Sequence, residues 1–314
     1  MSPTANTILV TGAAGALARR VIRLLAARHR VIAVDFRRQV ECTDAAASYQ
    51  LDVHTRGFED VFRQHKIDTV MHIGRVFAHE QSRQHRYNAN VLGSKRLFEL
   101  SRKYGVRQLI VHSTYFVYGA ARFNPALMDE ETPLKASAVT HDLVDAVELE
   151  NLTQIYLRKY PELNITLLRP CNILGPGVRN SLSLLLSRAV APVIVGHSPL
   201  MQFLHVDDMA HALVLAQQGN RPGIYNVAPA ESVPYQAAVV QSGCRRLPVV
   251  LPGSLPRLLR SVMNRNAYFP PYLINYLKYP VVIDGSLFAD TFDWQPVHTC
   301  LLYTSPSPRD LSTS

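Results

Sequence analysis

The sequence predicts an α/β protein, a doubly wound parallel sheet followed by a smaller C-terminal substrate domain. Three observations predict it. Apolar runs of strand length alternate with amphipathic, helix-like runs through about residue 170. The first apolar run, Thr7-Ile8-Leu9-Val10, opens into Thr11-Gly12-Ala13-Ala14-Gly15-Ala16-Leu17-Ala18 and then into a helix-like segment, Arg19 to Leu25. Beyond Pro170 prolines become frequent, from Pro176 to Pro256. Alternating strands and helices favour a parallel sheet with ligands at the carboxyl ends of its strands.

Each element follows in order. Gly12 permits a tight turn, Gly15 lets backbone approach a pyrophosphate at the positive end of the helix, and Ala18 allows close helix–strand packing. Val31-Ile32-Ala33-Val34-Asp35 reads as a second strand whose terminal acid can accept hydrogen bonds from an adenosine ribose. Tyr49-Gln50-Leu51-Asp52-Val53 reads as a short strand; Asp52 is placed to meet an adenine amino group and Val53 to cover the ring. A helix over 55–66 leads to a fourth strand, Asp68 to Gly74. Asn88 to Ser94 opens a long helix reaching about Lys103, stopped by Gly105. Arg107 to Thr114 is the fifth strand, ending in two hydroxyls, and a proline-containing loop over 120–140 precedes a helix from about His141 to Lys159. Asn164 to Pro170 is another strand. The expected division is a dinucleotide-binding domain over 1–170, also taking in about 203–227, and an interleaved substrate domain over 171–299.

Composition narrows the classes. A chain of 314 residues with 47% hydrophobic content can bury roughly three quarters of its unfolded surface. No apolar run approaches the ~20 residues needed to span a bilayer, and the first residues lack a signal-peptide pattern, so a cytoplasmic protein is expected. Cys42, Cys171, Cys244 and Cys300 match neither a metal-ligand spacing nor a disulfide framework, and no metal is expected. The net charge of +9 suits an anionic ligand such as a dinucleotide or sugar nucleotide, or a nucleic-acid surface. The basic residues are spread, as a solvated face would have them, and no aromatic-interleaved basic strand supports nucleic acid. Residues 300–314 resemble a translated sequencing-adapter read-through and are expected to form a non-native, disordered tail beyond about Thr299.

Together the motifs resemble the extended short-chain dehydrogenase/reductase superfamily, in its NAD-dependent epimerase/dehydratase group, over nearly all of residues 7–299. The carriers are the glycine turn, Asp35, Asp52-Val53, His72, Asn90 with Gly93, and Ser113-Thr114 with Val117-Tyr118-Gly119. Further carriers are Arg169-Pro170, Asn172, Gly175-Pro176-Gly177, His205-Val206-Asp207-Asp208, Tyr225-Asn226-Val227 and Trp294-Gln295-Pro296. The resemblance implies a Rossmann-type fold and hydride transfer to or from NAD. It implies cofactor contacts from Gly12, Ala14, Gly15, Ala16, Leu17, Asp35, Asp52, Val53, Ile73, Gly74, Arg75 and Asn90. It implies substrate contacts from Thr114, Tyr115 and Asn172, and a homodimer through the helices near 90–103 and 141–159. Asp35 repels a 2′-phosphate and so favours NAD, while the neighbouring Arg37-Arg38 keeps NADP as the lesser alternative.

The family chemistry uses a Ser or Thr, a tyrosinate base, and a lysine four residues after the tyrosine that lowers its pKa and holds the nicotinamide ribose. Thr114 keeps the hydroxyl position, as a catalytic donor or as a strand-end cap. The other two are missing: counting back from Glu150 puts Asp142 at the tyrosine and Ala146 at the lysine, and counting from Glu148 puts Thr140 and Val144 there. His141 is a candidate substitute base near neutral pH, or simply an exposed residue at a helix start capped by Thr140 or Asp142. Arg75 either restores positive charge near the nicotinamide ribose or a substrate anion, or is an exposed loop residue; His72, His112 and His205 read as structural. Met201 stands where sugar-nucleotide epimerases carry a diphosphate-clamping arginine. These observations leave three readings: an epimerase/dehydratase-like oxidoreductase with a degenerate site, an inactive NAD(H) sensor or scaffold, and, third, an RNA-binding member of the fold.

Overall fold

A computed structural model describes residues 6–36, 40, 43–76, 82–250 and 272–298. Arg37-Arg38, Cys42 and the 300–314 segment lie outside the described residues. The centre is a seven-stranded parallel sheet in the order β11-β6-β5-β4-β1-β2-β3. Its strands are β1 (Thr7–Thr11), β2 (Arg30–Asp35), β3 (Ala47–Gln50), β4 (Thr69–His72), β5 (Gln108–His112), β6 (Ile165–Pro170) and β11 (Gly223–Val227). The chain runs outward from β1 through β2 and β3, returns to place β4 on the other side of β1, and continues outward. The order therefore reverses between β1 and β4, which opens a crevice at their carboxyl ends.

Alternation along the strands feeds both faces. Ile8, Val10, Ala33, Met71 and Ile110 face one core with α1 (Ala16–Ala26) and α8 (Val206–Gly219). Leu9, Ile32, Val34, Val70 and Leu109 face the other with α2 (Arg56–Gln64), α4 (Gly93–Lys103) and much of α6 (Val144–Lys159). Ile8, Leu9 and Val10 are fully buried; each such side chain contributes about 1.5–3 kcal/mol.

Expected boundaries move, and the fifth strand ends at His112, before Ser113-Thr114. The third strand stops at Gln50, so Asp52 falls in the following turn, exposed, its carboxylate accepting the His54 N–H at 2.9 Å. The long helix begins not at Asn88 but at Arg83, behind a Ser82 cap: α3 (Arg83–Tyr87) runs through a π-helical turn, Asn88–Leu92, into α4. Within the 120–140 loop lies a short helix, Ala136–Val139.

The remaining residues make two-stranded pairs beside the sheet: β7 (Asn172–Leu174) with β10 (Phe203–His205), β9 (Leu200–Met201) with β12 (Val233–Pro234), and β8 (Val190–Ile194) with β13 (Arg245–Val249). The first turn of α8 fastens two distant segments. Arg20 of α1 pairs with Asp207 at 2.5 Å, while buried Asp208 accepts the backbone N–H groups of Val297 and His298 and the His298 ring. Among the described residues no helix is long and apolar enough to cross a membrane.

Candidate active site

The glycine turn sits at the point where the strand order reverses. Gly12 has φ +70°, and a Cβ on it would lie 2.2 Å from the Gly74 Cα; one on Gly74 would lie 2.7 Å from the Gly12 Cα. The turns after β1 and β4 thus touch backbone to backbone, and only glycines fit. Gly15 caps α1, whose first turn carries no acid, so its amides face the crevice with the helix dipole uncompensated. Asp35, nearly fully buried at the end of β2, accepts the Ala14 N–H at 3.2 Å, which ties the acid to the turn.

These residues line a cleft of about 510 Å³. Its walls include Gly12, Ala14, Gly15, Ala16, Leu17, Asp35, Ile73, Gly74, Arg75, Thr114, Tyr115, Asp142 and Asn172, all singled out by sequence. A smaller pocket of about 70 Å³ adjoins it on the β2 side, lined by Asp35, Leu51, Val53, Arg75, Asn90 and Gly93 among others. Val53 is therefore in place as a pocket wall. Asp52 is not among the lining residues, although its neighbours Leu51 and Val53 are. Asn90 is buried and committed: its amide bridges Val76 N and O at 2.9 Å each and donates to Asp145 at 2.5 Å.

At the other end of the cleft, Thr114 caps a short 3-10 turn, Tyr115–Tyr118; its Oγ1 accepts the Phe116 N–H at 3.3 Å, and its hydroxyl proton remains available to the cleft. The two sequence readings of Thr114 are thus compatible. Buried Tyr115 donates to Asn172 at 2.8 Å, and Asn172 donates to the Gln202 carbonyl, so both are held rigidly. Burial drives the Tyr115 hydroxyl well above the usual tyrosine range, so it stays protonated. Met201 is buried and paired with Val233, which leaves no charge at that place.

The helix that should carry the acid–base pair is anchored at Glu150 by buried hydrogen bonds. Ser113 donates to one Glu150 oxygen; Arg169 donates to the other at 2.9 and 3.1 Å. One turn earlier, Ala146 is fully buried and does not line the cleft; Asp142, near the start, does. The Asp142 carboxylate lies 3.8 Å from Arg86 and 4.0 Å from Arg83. His141 is exposed and absent from the cleft walls, because Thr140 caps this helix start and turns the ring outward. It is not placed to act as a base there.

Sequence reasoning missed Arg86 and Asp145, both buried and both lining the cleft. The signal for Asp145 was its spacing of three from Asp142 on one helix. Arg86 was hidden by starting its helix at Asn88. His72 and His112 were both read as structural. For His72 this holds: it lies between Thr11 and Ser94, 2.7 Å from each, and burial lowers its pKa to about 4. His112 differs. It lines the cleft, and both ring nitrogens are buried without a hydrogen-bond partner among the described residues; burial and the nearby Arg75 lower its pKa to about 3.

A glycine turn at a topological switch point, an acid ending the next strand and a hydroxyl just beyond β5, all facing one cleft, define a Rossmann-type α/β protein. More particularly, the chain belongs to the NAD dependent epimerase/dehydratase family, whose model matches residues 8–228. It is 27% identical to an uncharacterized protein of Mycobacterium tuberculosis (strain ATCC 25618 / H37Rv), covering 94% of this chain and 81% of that one. It is 31% identical to UDP-glucose 4-epimerase 3 of Oryza sativa subsp. japonica over 191 residues, 54% of this chain and 49% of the relative. Among solved structures it resembles MoeE5 in complex with UDP-glucuronic acid and NAD, with a TM-score of 0.76, 22% identity and coverage of 98% and 99% of the two chains. At that identity the likeness speaks for the fold alone.

Proposed function

We propose that this protein is an NAD(H)-dependent oxidoreductase of the epimerase/dehydratase type, acting on a hydroxylated small molecule of the nucleotide-sugar class through an atypical active site. The observation that carries the reading is that Asp35, the Gly12–Gly15 turn and Thr114 line one continuous cleft. Asp35 and the smaller pocket suit an adenosine, with NAD favoured over NADP because the carboxylate repels a 2′-phosphate. The amides at the start of α1 suit a pyrophosphate. NAD, when bound, supplies a hydride acceptor; Thr114 then orients the reacting oxygen, held in place by its cap. The UDP-glucose 4-epimerase relative supports the substrate class.

The second reading, a sensor or scaffold that binds NAD(H) without turnover, is favoured by a specific observation. Ala146 supplies no charge, and Asp142, which stands at the tyrosine position when counted back from Glu150, is held beside Arg83 and Arg86. Calorimetric titration with NAD⁺ combined with hydride-exchange assays on UDP-sugars separates the readings. Binding with exchange supports the enzyme, binding without exchange supports the sensor, and binding of neither NAD nor NADP refutes both.

A further inference from the structure

Three buried nitrogens line the cleft without a hydrogen-bond partner among the described residues: Nε of Arg75 and both ring nitrogens of His112. Buried polar groups in native proteins are almost always paired, and a group left unpaired costs about 1–3 kcal/mol. Three such atoms on neighbouring residues therefore call for a ligand. Their place in the sheet says which part of a ligand they meet. Strands β2, β1, β4 and β5 are adjacent in that order. Asp35 ends β2 and marks the adenosine end; the glycine turn follows β1 at the pyrophosphate. Arg75 follows β4 and His112 ends β5, on the side away from Asp35 and two residues from Thr114.

We propose that Arg75 and His112 together hold the nicotinamide-ribose half of the dinucleotide, the task left vacant by Ala146. This rests on the NAD-binding reading above. The donor set fits. Arg75 is a fixed cation with donors to spare, and it makes no ion pair with Asp142 or Asp145. A neutral imidazole presents one donor and one acceptor, the complement of a hydroxyl or a carboxamide. Burial, with Arg75 beside it, keeps His112 neutral, so the pair retains an acceptor that a lysine could not offer. Arg75 also borders the smaller pocket, so it bridges the two halves of the cleft where the turns after β1 and β4 touch.

The test is calorimetric titration of the full chain with NAD⁺ and, separately, with ADP, which lacks the nicotinamide riboside. Arg75→Gln, His112→Ser and the double variant are compared with the unmodified protein, with circular dichroism melts confirming that each is folded. If either single variant does not fold, Arg75→Lys and His112→Asn replace it. The expected result is that NAD⁺ affinity falls about tenfold or more in each variant, the loss expected when hydrogen bonds to a charged or buried donor are removed, while ADP affinity holds. Equal losses for NAD⁺ and ADP, or no loss for either, overturn the inference. Failure of the unmodified protein to bind NAD⁺ and ADP alike overturns the cofactor reading instead.

Discussion

Glu150 accepts a hydrogen bond from Ser113 on one carboxylate oxygen and two from Arg169 on the other, with both charged partners almost wholly removed from solvent. Arg169 reaches on to the Tyr118 hydroxyl at 2.9 Å, and Tyr118 to Asn226 at 2.7 Å, so the ends of β5, β6 and β11 are tied through one ion pair. Glu150→Ala leaves the guanidinium buried and uncompensated. The expected loss is about 3–5 kcal/mol, read from urea denaturation; a loss under about 1 kcal/mol would contradict the network's role.

Thr114→Val removes the one hydroxyl placed at the family's Ser/Thr position while keeping the shape. In a protein that turns over, hydride exchange should fall about a hundredfold, as for loss of an oxyanion donor, and Thr114→Ser should recover most of it. NAD⁺ binding is expected to stay within about twofold.

Asp35→Asn removes the charge but keeps the size. Calorimetry should show NAD⁺ binding weakened by about tenfold and the preference over NADP⁺ narrowed, since the repulsion of a 2′-phosphate is lost with the carboxylate charge. An unchanged preference would move the discrimination to another residue.

Gly74→Ala tests the contact between the two turns. Its Cβ would lie 2.7 Å from the Gly12 Cα, against backbone that has no room to yield. Overpacking of this kind costs about 1–3 kcal/mol, and the displaced turn should bind NAD⁺ at least about tenfold more weakly. Binding at full strength would mean that the turns can part freely.

Acid should destabilise the protein before its carboxylates titrate. His72 and His112 have folded pKa values of about 4 and about 3, below the ordinary value of 6.5. Between those limits the unfolded chain binds more protons than the folded one, so their contribution is complete above pH 6.5 and is lost as pH falls toward 4 and then 3. Each unit of pH costs about 1.4 kcal/mol per histidine across that window. Melting temperature measured from pH 7 to pH 5 should fall, and His72→Gln should flatten the slope.

Much of the fold was legible because its signals are local. Strand runs, the glycine turn and Asp35 obey period and turn chemistry that a single stretch displays. Counting back from Glu150 or from Glu148 meets neither the tyrosine nor the lysine, because residue spacing along one helix is itself a local signal. What stayed hidden depends on tertiary partners. Nothing local separates His72, bonded on both sides, from His112, whose ring nitrogens have no partner among the described residues. The end of the third strand was set too late, at Val53, because the edge strand β3 gives way after Gln50 to the turn that leads into α2. Arg86 entered the cleft only because α3 starts a turn and a half before the apolar pattern shows it.

The paired acids at the start of α8 bear on how such a chain is made. Asp208 is buried, and its carboxylate accepts the backbone N–H groups of residues 297 and 298 and meets the His298 ring. On a ribosome the dinucleotide-binding strands emerge long before those residues do. Until they arrive, a carboxylate must stay hydrated at the foot of α8, beside the Asp207 that pairs with Arg20 on the helix leading from the glycine turn. Closure of this corner at the foot of α8 therefore waits on residues 297 and 298, and a nascent chain halted before residue 297 would keep it open.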